Sequence, residues 1–457
     1  MEKKQPKHPA FEHALFNEFT TMAEINSCIN PELHGKYNTK RGLRNNDGTG
    51  VLIGLTEIGE VYAYIIEDEE KIPQEGRLYY RGIEINDLVG GFQEEKRHGF
   101  DEVCFLLLFG KLPAAARLEY FQELLRENRN LPDGFTEDMI LKAPSRDIMN
   151  KMARSVLASY SYDENAEDTS VANVLRQSIQ LIARFPTMAA YAYQARAHNF
   201  GKKSLYIHNP QKNLSPAENF LYMIRPDNQY SELEAEILDL NLILHAEHGG
   251  GNNSAFTTHV VSSTDTDTYS AIAAAIGSLK GTKHGGANIK VFNMVEDIKA
   301  NLRNWDSEKE IEDYLVKIIR KKAFDGSGLI YGIGHAVYTL SDPRARLLKE
   351  KASALSREKG MGEEFNLYNV IEKLAPLVIA EEKGIDKDMA TNVDFYSGFV
   401  YKMLNIPVEL FTPIFAMSRI AGWSAHRIEE IVSGGRVIRP AYKNVMPKSS
   451  YIPLAHR

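Results

Sequence analysis

Three histidine segments in this chain stand directly against glycine-rich backbone, so each brings an acid–base group to a place where amide N–H groups can face a ligand. The first is His245-Ala246-Glu247-His248, followed by Gly249-Gly250-Gly251. The second is Lys283-His284-Gly285-Gly286, and the third is Tyr331-Gly332-Ile333-Gly334-His335, which leads into Ser341-Asp342-Pro343-Arg344. A carboxylate follows in an apolar and aromatic setting, Asn392-Val393-Asp394-Phe395-Tyr396. Such surroundings raise a carboxylate's proton affinity, which suits a general base. Plainer readings stand beside these. Asp394 could cap a helix ahead of Phe395. His245 and His248 share a helix face and could ligate a metal, although the HExxH pattern is absent and no second carboxylate-plus-histidine motif supplies more ligands. Arg419 and Arg439 are, taken singly, surface or ion-pair residues.

The elements that must hold these groups read as helices. From Glu308 to Phe324 the apolar residues Ile311, Tyr314, Leu315, Ile318 and Ile319 form one stripe. The stretch Asp101–Arg126 breaks at Gly110 and Pro113, which predicts two helices with a turn between them. Thr268–Leu279 is a small-residue helix, and Thr412-Pro413 places an N-cap before a helix running through Arg419 to about Glu430. Strand signal is confined to the first hundred residues, where Gly50–Tyr64 and Arg77–Ile83 could pair as short hairpins. No βαβ repetition follows, so a parallel sheet is not expected.

Composition sets the outer bounds. The chain has 457 residues, 43% hydrophobic and 25% charged, with a net charge of −7. These are ordinary values for a globular protein and exclude disordered, collagen and coiled-coil classes. At roughly 150 residues per domain the length allows about three domains, or two large ones. There is no basic footprint for nucleic acid or an anionic membrane, and no window supplies the ~18 apolar residues of a membrane span. Two cysteines, Cys28 and Cys104, suit a reducing compartment, and the N-terminus lacks a secretory pattern, so a cytoplasmic location is expected.

Taken together, HAEHGGGNNS, KGTKHGGAN, YGIGHAVYTLSDPR, NVDFYSG and MSRIAGW resemble the citrate synthase family in order, spacing and content, and LYYRGIEINDL at residues 78–88 resembles its N-terminal region. The resemblance spans about Gly50 to the C-terminus. It implies an all-α, two-domain fold with a few short N-terminal strands. Residues 1–286 and 405–457 would form a large domain with the dimer interface, and residues 287–404 an inserted small domain.

The resemblance also assigns roles. Asp394 would take a proton from the methyl group of acetyl-CoA while His284 hydrogen-bonds the thioester oxygen. His335 would polarise the ketone of oxaloacetate, which His248 also contacts. Arg344, Arg419 and Arg439 would hold its carboxylates through planar guanidinium forks. In the family the third arginine comes from the other subunit of a homodimer, and Arg436 is a rival for that place. No metal or other cofactor is implied. Two departures stand out. Gly249 follows His248 where many relatives carry Glu or another residue. Thr339 occupies the position at which relatives often hold a CoA phosphate with Lys or Arg, leaving Gly332 and Gly334 as candidates for the adenine end and Lys387 as a weak replacement cation. The alternatives are 2-methylcitrate synthase, using propionyl-CoA, a metal hydrolase built on His245, Glu247 and His248, and a helical sensor without turnover.

Overall fold

The computed structural model describes residues 14–45, 48–67, 70–335, 337–384 and 388–457, so Lys387 lies outside the described residues. The chain forms two compact units, Met1–Leu55 and Thr56–Arg457. In the first, helices Ala14–Asn26 and Glu32–Lys36 precede a short turn at Arg41–Leu43 and a bridge between Arg44 and Gly50.

The second unit holds every candidate site residue. It opens with an antiparallel sheet, β1 (Gly59–Glu67), β2 (Glu70–Tyr80) and β3 (Ile83–Glu84), in that order. Val61 pairs with Leu78, and the register slips between Tyr62 and Tyr64. Strand structure in this unit therefore begins at Gly59, later than the alternation from Gly50 implies. The buried hydroxyl of Tyr80 lies 2.9 Å from the Ile243 carbonyl and accepts from Glu247 N at 3.3 Å, tying the sheet to the first histidine motif.

Helices make up the rest. Helices α1 (Phe100–Phe109) and α2 (Ala115–Glu127) are separated as the sequence predicts, with Gly110 in the left-handed region at φ 80° ending α1. The long α3 (Val171–Gly201), α4 (Glu232–His245), α5 (Asn253–Ser262) and α6 (Thr268–Lys280) follow. Next come α7 (Ala287–Asn301), α8 (Glu308–Ile319), α9 (Pro343–Glu358), α10 (Gly362–Lys383), α11 (Val393–Met403) and α12 (Phe411–Ser433). On α8 the predicted stripe is buried at Ile311, Tyr314, Leu315 and Ile318. Each such side chain contributes about 1.5–3 kcal/mol when fully buried.

Packing divides along the chain. Helix α7 packs on α11, α8 on α10, and α9 on both α10 and α11, whereas α12 packs on α1, α3, α4, α5 and α6. The start of α12 differs from the sequence expectation. The helix begins at Phe411 with Leu410 as N-cap, and Thr412 instead donates its hydroxyl to the Gly285 carbonyl at 3.1 Å. A tertiary acceptor competes there with the capping role. Beyond Ser433 the chain is extended and mostly exposed, anchored where Ile438 N donates to Ser263 Oγ at 3.1 Å.

Candidate active site

Helix ends, the loops beside them and the middle of α12 bring His248, His284, His335, Arg344, Asp394 and Arg419 within electrostatic reach of one another. His248 lies just past α4, with its ring centroid 5.3 Å from that of His335 and 5.6 Å from that of Tyr338. Gly249 has φ 80°, the left-handed region that a residue with a Cβ adopts only under strain, which is a local reason for glycine after His248. Burial, with Arg344 nearby, keeps the His248 imidazole well below its ordinary proton affinity.

His335 sits in a tight turn. Its Nδ1 accepts the backbone N–H groups of Val337 and Tyr338, both at 3.0 Å. A nitrogen that accepts two donors carries no hydrogen, so in the neutral ring the hydrogen is on Nε2. Burial, then the Arg344 charge, lowers this histidine to about 4, which keeps it neutral at physiological pH. It is therefore a neutral donor through Nε2.

Asp342 is the anchor of the next segment. It caps α9 through Arg344 N at 3.0 Å and holds the Arg344 guanidinium by Nε at 3.0 Å and Nη2 at 2.8 Å. The same carboxylate accepts Val393 N at 3.2 Å, joining α9 to the start of α11. Burial opposes a charge on Arg344, but the Asp342 carboxylate outweighs it and holds the guanidinium protonated.

At α11 the capping alternative for Asp394 fails. Asn392 is the N-cap, its Oδ1 accepting Asp394 N at 3.1 Å and its Nδ2 donating to the Gly334 carbonyl at 3.0 Å. Among the described residues Asp394 Oδ1 is buried without a hydrogen-bond partner, so this carboxylate has no structural task. Burial raises it from 3.8 to about 6, against the pull of Arg344. Gly332 and Gly334 have φ 84° and 89°. A Cβ on Gly332 would come within 2.8 Å of the Phe395 ring. Their backbones bond to Asn392 N at 2.9 Å and the Ala390 carbonyl at 2.7 Å, so both glycines brace the loop that presents His335.

Arg419, on α12, is fully buried. Its Nε donates to the His245 carbonyl at 2.7 Å and its Cζ stands 4.8 Å from the Phe415 ring centroid. Nη1 and Nη2 have no hydrogen-bond partner among the described residues. Burial lowers this guanidinium to about 10, so it stays charged at neutral pH. The ring of His284 lies 6.3 Å from that of Phe415, and burial, with the Arg419 charge, lowers the histidine to about 4.

Several working residues have no role in the sequence reading. Ser254 Oγ lies 3.1 Å from His284 Nε2, 2.9 Å from Asn252 Oδ1 and 3.1 Å from Trp423 Nε1. Asp342, Asn392 and Tyr338 orient the groups around them. Ser254 and Asn392 fall inside the motifs HAEHGGGNNS and NVDFYSG, and an Asp before Pro343 is a legible capping signal.

One alternative meets a different geometry. His245 Nδ1 bonds to its own helix at the Asn241 carbonyl, 2.8 Å away, and Glu247 faces His426 at 3.0 Å, so His245, Glu247 and His248 do not converge on a metal. Arg439 and Arg436, which the resemblance assigns to the other subunit's site, both lie exposed on the C-terminal segment.

The family described as "Citrate synthase, C-terminal domain" matches residues 47–441. The citrate synthase of Haloferax volcanii is 37% identical over 371 residues, 80% of this chain and 88% of that protein. The 2-methylcitrate synthase of Shewanella oneidensis is 32% identical over 390 residues, 83% of this chain and 92% of that protein. The crystal structure of citrate synthase from Pyrobaculum aerophilum is similar at a TM-score of 0.72 and 30% identity, covering 91% of this chain and 94% of that one. This chain belongs to the citrate synthase family and is an enzyme of that acyltransferase type.

Proposed function

We propose that the chain condenses acetyl-CoA with oxaloacetate, using Asp394, His284 and His335 as its catalytic residues. The observation that carries this reading is a pair of open valences whose charges act on each other. They are the unpartnered carboxylate oxygen of Asp394 and the unpartnered Nη1 and Nη2 of Arg419. A carboxylate near 6 accepts a proton from carbon only where the enol oxygen is stabilised at the same moment.

In this scheme Asp394 takes a methyl proton and the C–H electrons move into the enol, whose oxygen receives a hydrogen bond from His284. The enol carbon attacks the ketone of oxaloacetate to form the C–C bond. His335 Nε2–H supplies the proton to the ketone oxygen. Water then cleaves the citryl thioester, releasing CoA thiol and citrate. Arg344 and Arg419 hold the carboxylates with His248 beside them, and Arg439, or Arg436, comes from a second copy in a homodimer. The ring contact of His248 with His335, and the Arg419 charge acting on both His284 and Asp394, support these roles, and no metal is needed for them.

Residues 287–404 act in this reading as a small domain that closes on oxaloacetate, with Gly285-Gly286 as its hinge and Gly332 and Gly334 near the adenine end of CoA. The mutual packing of α7 to α11 supports it. Closure that completes the site only after the first substrate binds limits wasteful thioester hydrolysis. Among the described residues no helix is long and apolar enough to cross a membrane. We place the enzyme in the cytoplasm on its sparse, unpaired cysteines.

Acyl preference is the remaining choice, because one methylene in an apolar pocket is worth about 1–3 kcal/mol. The test is CoA thiol release with oxaloacetate and either thioester. A higher kcat/KM for acetyl-CoA supports the proposal, whereas a higher value for propionyl-CoA makes the enzyme a 2-methylcitrate synthase. Absence of thiol release with both overturns the reaction.

A further inference from the structure

Behind His248 lies a second group of ionisable side chains that the condensation does not use. His259, on α5, and His426, on α12, face each other with Nε2 and Nδ1 only 3.1 Å apart. Glu429 Oε2 stands 3.7 Å from the same His426 nitrogen, and the three ligand atoms lie within 4.8 Å of one another. The far side of each ring is backed by a carboxylate. His259 Nδ1 is 2.8 Å from Glu430 Oε2, and His426 Nε2 is 3.0 Å from Glu247 Oε1. Glu429 is held too, since its Oε1 accepts Glu57 N at 2.8 Å while Oε2 is buried with no hydrogen-bond partner among the described residues.

We propose that His259 Nε2, His426 Nδ1 and Glu429 Oε2 form a binding site for a divalent transition-metal ion of the zinc type. Ligand atoms about 2.0–2.1 Å from a tetrahedral zinc are separated from each other by about 3.3 Å. Two of the separations here, 3.1 and 3.7 Å, bracket that spacing, and the third pair, His259 with Glu429, lies within 4.8 Å and would draw in on the ion. A carboxylate on the outer nitrogen of each ligating histidine fixes the ring and directs its inner lone pair at the ion, and both rings here have one. Charge points the same way. Glu247, Glu429 and Glu430 surround the two imidazoles, while Arg81 faces Glu429 first and then Glu57 and Glu247, and Arg419 faces Glu247. Imidazole with carboxylate favours zinc and its neighbours over calcium or magnesium, which prefer all-oxygen sites. The site reaches solvent, with the side chains of His259 at 13% and Glu430 at 16% exposure, so an ion can enter. Bound there, it braces α5 against α12 and, through Glu247, the turn that carries His248.

The test uses the full-length enzyme stripped with a chelator and dialysed against Zn2+ at micromolar free concentration, with metal counted by atomic emission. One zinc per chain is expected, together with the visible d–d bands of a four- or five-coordinate ion when Co2+ is used. Both are lost in His259→Ala, whose thiol-release kcat stays within about twofold of wild type because His259 touches no substrate. Glu429→Gln is the second variant and weakens zinc at least tenfold. Zinc bound by His259→Ala and Glu429→Gln as by wild type, or none bound by wild type, overturns the site. Competition by excess Mg2+ would do the same.

Discussion

His284 Nε2 lies 3.1 Å from Ser254 Oγ, and the single hydrogen of that hydroxyl decides which imidazole nitrogen can donate into the cleft. Trp423 Nε1–H already donates to the same oxygen at 3.1 Å, so the hydroxyl hydrogen goes either to Asn252 Oδ1 or to His284 Nε2. Only the second choice leaves a hydrogen on His284 Nδ1. In Ser254→Ala the tautomer is no longer set. We expect kcat to fall by on the order of 10²-fold while oxaloacetate affinity changes little. Unchanged kcat would mean that His284 does not donate through Nδ1.

Asp394 predicts the acid side of the pH profile. A base must be ionised, and burial raises this one to about 6, so kcat/KM should climb tenfold per pH unit below that value and level off above it. The stability consequence has the opposite sign. A carboxyl whose folded value lies above its unfolded 3.8 stabilises the fold only while protonated, and that contribution is lost as pH rises through about 6. Asp394→Asn should therefore abolish condensation yet gain ~1 kcal/mol at pH 7, after discounting for partial exposure. Thermal melts at pH 5 and pH 7 check it, because the gain should fall to roughly half at the lower pH.

These two residues illustrate what a sequence can carry. Asp394 was singled out by the apolar and aromatic residues around it, and the alternative that it caps the helix gave way to Asn392. The helical stripe from Ile311 to Ile318 was legible because its period is local. Ser254 was not, and Asp342 was legible only as a cap, since the rest of their value lies in what approaches from elsewhere in the chain: Trp423 and His284 at one, Val393 at the other. The start of α12 was misjudged for the same reason, with the Gly285 carbonyl drawing Thr412 away from the cap. Arg439 stays apart because this chain alone does not gather it.

Arg419 should act as a ligand-dependent stabiliser. Two unpartnered Nη atoms in a fully buried guanidinium cost the free enzyme stability, and a bound carboxylate would satisfy them. In Arg419→Met the ligand-free melting temperature should hold or rise. Oxaloacetate at a hundred times its Kd stabilises wild type by about 2.7 kcal/mol, and the variant should lose that shift at the same concentration. Arg419→Lys should lose most of it too, because an ammonium cannot form the fork.

Asp342 links both halves of the proposed chemistry, since one carboxylate orients the Arg344 guanidinium and the Val393 amide next to Asp394. Removing one partner of a buried ion pair costs about 3–5 kcal/mol, so Asp342→Ala should be strongly destabilised. Asp342→Asn keeps an acceptor oxygen at the α9 cap but loses the ionic hold. It should fold, with a raised KM for oxaloacetate and a lowered kcat together. Arg344→Ala should raise KM chiefly. If Asp342 acted on Arg344 alone, adding Asp342→Asn to Arg344→Ala would change kcat no further. A further drop in kcat in the double variant, measured by single-turnover thiol release, is the expected sign that Asp342 also positions Asp394.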